Sequence, residues 1–481
     1  MTELRDASPA PLNPAAPSAG TPQRPLPQRL LPLAWPLFIE QSLHILTGVV
    51  DTFMVSFVSD GAAAALAVAN QLVIWFIIVF NFIGIGAMVV VTHHLGANDR
   101  PGADRVASTA IAVCTWLGLI ASAVIALAAA PLLRLLQLPA DLMPYAQPFL
   151  AVVGAGLVIE AVNLAIGSVL RAHARTREVM VVSVLQNVIN VIGNAIALFG
   201  WFGLPQYGVV GVAVSTVFSR AVACAVLWLL LAHRAGVHVR LRAFFNLQRE
   251  TLGRVLHIGA PAAGENISWW TAFMVVTSFT ARMGEQPLAA HTYWMSIAGF
   301  MILFSSSIGM ATEILVGHQV GAGQFEQAYK LLLRSLRTAF GVACVVALAI
   351  GAAAPWIMSA FSRDPTVLAL GTLLLRLSLV LESGRTFNLV VINALRASGD
   401  ARFPFYMGLL SMWGVWVPLA WLFGLQLGWG LLGIWLACVC DEWFRGLLMY
   451  RRWRQRRWLK YAQRTQARVG ALRDAAAGPG A

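Results

Sequence analysis

Residues 66–91 read LAVANQLVIWFIIVFNFIGIGAMVVV and contain no Asp, Glu, Lys or Arg. A helix of about 20 such residues, rising about 1.5 Å per residue, crosses the ~30 Å hydrocarbon layer of a bilayer. Runs of this kind recur on both sides of it. They predict twelve spans, near 33–58, 66–91, 108–132, 146–170, 179–200, 209–232, 256–281, 288–316, 337–361, 367–395, 404–424 and 430–450. None alternates apolar and polar residues over ten-residue units, so a membrane β-barrel is not indicated.

Composition agrees. The 481 residues are 58% hydrophobic and only 11% charged, with mean hydropathy +0.72, whereas about a quarter of a typical soluble domain is charged. A soluble enzyme, a nucleic-acid-binding protein and a disordered chain are excluded on that ground. The net charge of +13 reflects topology instead. With the N-terminus inside, 27 of the 34 Lys and Arg fall on the cytoplasmic side and three (Arg134, Arg282, Arg363) outside. Arg220, Arg376, Arg385 and Arg445 lie within spans. Every loop then obeys the positive-inside rule, and both termini are expected in the cytoplasm. The five cysteines sit in apolar runs and read as small hydrophobes, with no disulfide or zinc framework.

The first half recurs in the second at an offset of 225 residues. Pro36-x-x-x-Glu40-Gln41 becomes Pro261-x-x-x-Glu265-Asn266, and His93-x-x-Gly96-Ala97 becomes His318-x-x-Gly321-Ala322. Asn163-Leu164 with Leu170-Arg171-Ala172 becomes Asn388-Leu389 with Leu395-Arg396-Ala397. Each repeat holds an even number of spans, so both have the same orientation and are related by a pseudo-twofold along the membrane normal. The expected division is a disordered tail over 1–28, an N-lobe over 29–232, a basic cytoplasmic linker over 233–255, a C-lobe over 256–450 and a basic cytoplasmic tail over 451–481. An all-α integral membrane protein of two six-helix lobes around a central cavity is the architecture of a secondary transporter.

Ionisable residues inside hydrocarbon are functional candidates by default. On the first helix Glu40, His44, Thr47 and Asp51 share a stripe about 60° wide, suited to an aqueous cavity or to other polar groups. Asp51 is the leading ion-coupling carboxyl, able to take a proton on one side and release it on the other. The fifth helix carries Ser183, Asn187, Asn190 and Asn194 on a similar stripe, and Thr216 follows on the sixth. Their oxygens either complete a Na⁺ site with Asp51 and Asn190 or join helices by hydrogen bonds. Ser183 and Asn187 fit the second role better. Position 276, matching Asp51, is Val276, so the deep carboxyl belongs to the N-lobe alone. The C-lobe candidates for the substrate cavity are Glu265, Trp269, Trp294, Glu382 and Arg385. Glu382 and Arg385 also read as an ion pair at i, i+3, and Asp441 with Arg445 reads the same way. His291 and His318 read as packing donors.

Taken together, Gly48-Val-Val-Asp51-Thr-Phe-Met-Val, the two His-x-x-Gly-Ala motifs and the two Leu-Arg-Ala motifs resemble the multidrug and toxic compound extrusion (MATE) family, over about residues 30–450. The resemblance implies a V-shaped antiporter that exports organic compounds in exchange for H⁺ or Na⁺, alternating between inward- and outward-open states. It implies that Asp51 is the coupling aspartate, with Asn190, Asn194 and Thr216 as its polar partners. One such partner is often acidic in the family, so Asn194 argues against sodium. Another branch has an aspartate in the tenth helix where Arg385 stands here, which brings anionic or zwitterionic substrates into view. A monomer in a bacterial inner membrane is expected, with no cofactor and no nucleic acid. The alternatives are a lipid-linked precursor flippase of related fold and a membrane-embedded enzyme. No H-E-x-x-H, phosphate-binding glycine loop or G-x-S-x-G supports the enzyme.

Overall fold

The computed structural model describes residues 29–203, 205–239 and 242–477. The tail expected over 1–28 and the last four residues of the C-terminal segment lie outside them. The N-terminal half contains α1 (Leu31–Ser56), α2 (Asp60–Gly96) and α3 (Arg100–Leu135). It continues with α4, which runs Met143–Ala155 and Leu157–Ala172 with a 47° bend between them, then α5 (Thr176–Phe199) and α6 (Gly208–Ala235). The second half repeats the series as α7 (Arg249–Ala281), α8 (Glu285–Gly321), α9 (Phe325–Ser359), α10 (Pro365–Ala397), α11 (Arg402–Gln426) and α12 (Gly430–Arg454). Nine of these are singly long and apolar enough to cross a membrane, and the bent α4 makes a tenth. α7 and α12 complete the twelve; both are more polar, and α7 starts seven residues ahead of the expected span. Exposed Leu127, Val345 and Trp356 make sense only against lipid.

Capping and turn chemistry set the helix ends. Ser59, Asp99 and Asp364 each accept a backbone N–H in the first turn of α2, α3 and α10 respectively, satisfying donors that the helix leaves free. Two tight turns recur with the repeat. The left-handed residue after α2 is Asn98 and after α8 is Gly323; after α4 it is Ala174 and after α10 Gly399. Both pairs keep the 225-residue spacing, so the duplication reaches down to single backbone angles.

The start of α1, the end of α12 and the basic turns after α2, α4, α8 and α10 share one end of the bundle, as the up-and-down order of the helices requires. There the lobes meet: α2 packs on α7 and α8, and α1 on α8. Phe38 stacks on Phe304 at 4.3 Å, and Gln41 bonds Ser306 and Ser307 at 2.9 and 3.0 Å. The two His-x-x-Gly-Ala motifs lie deepest in the seam. His93 Nε2 lies 2.6 Å from the Ala397 carbonyl, and His318 Nε2 lies 2.8 Å from the Ala172 carbonyl. These are one contact made twice, each histidine reaching from its own lobe to the Leu-Arg-Ala terminus of the other. The lobe-to-lobe bonds and ring contacts among the described residues all fall in this half of the helices. Beyond it the C-lobe has an apolar core of its own, around Val276, Trp294, Leu374, Trp416 and Trp435. The result is a V, joined at the basic end.

A further helix, α13 (Leu459–Ala477), crosses the joined end. Trp458, Ala462 and Val469 are buried on one face, and α13 packs against both α8 and α2. Arg452 grips Asp400 through two bonds, of 2.5 and 3.2 Å. The basic tail expected over 451–481 is therefore largely a docked helix.

Candidate transport site

Asp51 lies ten residues along α1 from Gln41, about 15 Å beyond the seam contact at 1.5 Å per residue. It is 7% exposed. Its Oδ1 accepts a 2.6 Å hydrogen bond from Asn194 Nδ2 on α5. Asn194 Nδ2 also reaches Asn190 Oδ1 at 3.4 Å, and Asn190 Nδ2 donates to Thr216 Oγ1 on α6 at 3.2 Å. The four polar residues thus form one chain of hydrogen bonds linking α1, α5 and α6. Gly193 makes this approach possible, since a side chain there would fall on Ser215, whose hydroxyl donates to the Asn190 carbonyl at 3.0 Å. Thr47 donates to Asn187, tying α1 to α5 one turn away. Arg220 is the cation acting on Asp51, and it is itself paired with Glu160 on α4 at 3.3 Å.

The oxygens around Asp51 do not converge as a cation site would require. Asn194 turns its N–H to the carboxylate, while its own Oδ1 is buried and unpartnered. Among the described residues no group of three or more acidic, His or Cys side chains could hold a metal.

The other residues of the α1 stripe have different fates. His44 is exposed. Glu40 is buried and bound by Arg171 Nη1 of α4 at 2.5 Å, so it is not a free coupling carboxyl. The C-lobe repeats the pair, with Glu265 of α7 bound by Arg396 Nη2 of α10 at 2.6 Å. Glu265 is therefore half of a structural joint and not an open wall of the substrate cavity. The signal for both joints was in the sequence, where an acid and a base recur together at one offset.

Three C-lobe expectations are corrected. Trp294 is 1% exposed, its indole N–H donating to Ser378 at 2.9 Å and its ring 3.9 Å from Trp435; it packs the core and lines no cavity. Arg385 is buried, bound by Glu382 and by Glu442, whose Oε1 lies 3.2 Å from its Nε. Neither Arg385 nor Glu382 is available to a ligand, because the second anion comes from α12, where the one-helix pairing could not show it. Arg445 bridges Asp441 at 2.7 Å and Glu442 at 3.3 Å, and Asn388 donates to Glu442 at 2.9 Å. The C-lobe network thus joins three carboxylates to two guanidiniums and contains both ion pairs read from the sequence, Glu382–Arg385 and Asp441–Arg445. Trp269 stays half-buried, stacked on Phe273 at 5.3 Å, with Trp270 and Met274 exposed beside it.

Comparison with known proteins agrees with this geometry. The MatE family model matches residues 36–196 and 261–422, two segments whose starts are 225 residues apart. The chain is 40% identical over 431 residues to YisQ of Bacillus subtilis (strain 168), an uncharacterized transporter, covering 90% of this chain and 95% of that one. It is 24% identical over 446 residues to NorM of Thermotoga maritima, a "probable multidrug resistance protein", covering 92% and 96%. Among solved structures, MATE in the bent conformation superposes with TM-score 0.83 at 22% identity, covering 91% of this chain and 96% of that one. An outward-facing multidrug resistance MATE transporter superposes with TM-score 0.81 at 22% identity, covering 89% and 95%. A duplicated twelve-helix V with a polar cluster in one lobe, matched along both repeats, is a multi-pass membrane transporter and not an enzyme, and the chain belongs to the MATE family of multidrug efflux transporters.

Proposed function

We propose that this transporter is a proton-coupled antiporter of a bacterial inner membrane, working as a single chain, with Asp51 as its coupling carboxyl. The observation that carries the proposal is the buried Asp51–Asn194 bond, set beyond a seam that is shut at the basic end only. The positive-inside rule puts that end in the cytoplasm, so the V opens outward and Asp51 meets protons from outside. Ionised, the carboxylate holds Asn194 and ties α1 to α5. Protonation removes the charge and weakens that charge-assisted bond, freeing α1 to repack near Pro36 or Gly48. Proton and substrate need only favour opposite conformations of the two lobes. The stacked Trp269–Phe273 pair with exposed Trp270 gives the C-lobe an aromatic wall for flat organic molecules. Arg385, neutralised in its network, does not select anionic substrates.

Transport of a flat fluorescent dye in proteoliposomes, under H⁺ and Na⁺ gradients imposed separately, tests the reading. Efflux should follow ΔpH, ignore ΔpNa and disappear in Asp51→Asn with expression unchanged. ΔpH-driven efflux by that variant would remove Asp51 from the role. Efflux driven by Na⁺ alone would instead require Asn194 to turn its unpartnered oxygen toward a bound ion.

A further inference from the structure

Outside the Asp51 site, Glu313 on α8 is a deep acid that has neither a repeat counterpart nor an ion pair among the described residues. It is 3% exposed, and its Oε1 is buried without a hydrogen-bond partner. The residue 225 positions earlier is Met88, so the other lobe has no equivalent. On α8 Glu313 lies within about 40° of Ser306 and Gly317 at 100° per residue. Ser306 bonds Gln41 of α1, and a side chain on Gly317 would strike Thr92 of α2. Glu313 therefore faces the seam between the lobes.

The surrounding helices offer it little. Arg396 of α10 is held by Glu265 of α7 at 2.6 Å. On α1, Glu40 is committed to Arg171. On α2, His93 is bound to the Ala397 carbonyl, and His94 lies between Asp99 and Arg254 at 2.7 and 3.1 Å. His318 of α8 itself holds the Ala172 carbonyl. Glu382, Arg385, Asp441, Glu442 and Arg445 form their closed network between α10 and α12. Glu326, Lys330, Arg334 and Arg337 of α9 and Lys460, Arg464, Arg468 and Arg473 of α13 are exposed. Glu313 thus has no ion pair among the described residues, and burying a charge without a partner is strongly unfavourable.

We infer that Glu313 is a second proton-binding site, closed to solvent while the lobes meet and opened to cytoplasmic water when they part. On opening, its O–H bond breaks and the proton passes to water at the basic end. On closing, the carboxylate takes a proton back from the same side. Glu313 moves no net proton across the membrane, but closure of the seam consumes one cytoplasmic proton. The closed state then holds one proton more than the open state, so raising cytoplasmic pH favours opening. A one-proton linkage changes the open-to-closed ratio by at most about tenfold per pH unit.

The inference uses the proton-antiport topology proposed above, and its test is independent of Asp51. Spin labels at Arg100→Cys and Lys330→Cys, on the two lobes at the basic end, report the open-to-closed ratio in the full-length protein with its native cysteines replaced. The ratio should rise with pH, up to about tenfold per unit, in Asp51→Asn, where the coupling carboxyl no longer titrates. Made in the Asp51→Asn background, Glu313→Gln and Glu313→Met, the residue the other lobe carries, should each give a flat ratio with the seam closed throughout. A pH response that survives both Glu313 variants in that background, or that is missing from Asp51→Asn itself, overturns the inference. Export by Asp51→Asn that still follows ΔpH defeats the coupling reading and leaves the seam result standing.

Discussion

Replacing Gly96 with alanine is expected to hold the lobes apart at the basic end. A methyl group at Gly96 would land on the His318 carbonyl, and one at Gly321 on the His93 carbonyl. In both cases the obstacle is backbone, which cannot rotate aside as a side chain would. Overpacking of a tight contact costs about 1–3 kcal/mol. The clash exists only while the seam is shut, so the cost falls on the closed state alone. With about 1.4 kcal/mol per factor of ten, the open-to-closed ratio should rise roughly 5- to 150-fold. Gly321→Ala should act in the same range. The double variant should fall short of the sum, because the two glycines meet at one crossing and the first shift of the helices makes room for the second methyl. Gly341→Ala, where nothing lies within 4 Å, is the control and should leave the ratio unchanged. The spin-label pair across the seam reads all four proteins. A Gly96→Ala protein whose closed population matches wild type would refute the reasoning, because it would mean the helix ends do not approach as closely as described.

Two further outcomes are expected. Arg171→Met strands Glu40 in apolar surroundings and should lower stability in detergent by about 3–5 kcal/mol, with Glu40→Met on top recovering most of the loss; thermal unfolding measures both, and a single variant as stable as wild type contradicts the pairing. At the outer end, backbone N–H bonds from Val367 and Thr366 hold the Asp364 carboxyl below the usual carboxylate range. The stabilisation it gives α10 is therefore complete above its ordinary value and lost as pH falls through the lowered one. Protection of the 366–367 amides, taken relative to the intrinsic exchange rate at each pH, should fall on acidification in wild type and be low at every pH in Asp364→Ala.

The spans and the duplication were legible because hydropathy and motif spacing integrate over many residues and survive errors at helix ends. Helical periodicity put Asp51 on one polar stripe and Asn190 and Asn194 on another, and the family resemblance grouped them with Thr216. Periodicity does not say which helices face one another, and there the reading failed. Arg385 looked half-free because Glu442 stands 57 residues away on another helix. Trp294 looked like a cavity wall because an indole signals both belt and core. Glu313 escaped notice for the opposite reason: comparing the halves finds what recurs, and Glu313 matches a methionine.

The mirrored histidine bonds have a consequence for how the seam gives way. Each histidine is anchored in the lobe whose partner carbonyl the other histidine holds, and the same axis relates both bonds. A rotation of one lobe about its neighbour lengthens the two together, so neither can serve as a hinge while the other yields. The junction should release in a single step, without unzipping from one side, and half-detached forms should be too scarce to see.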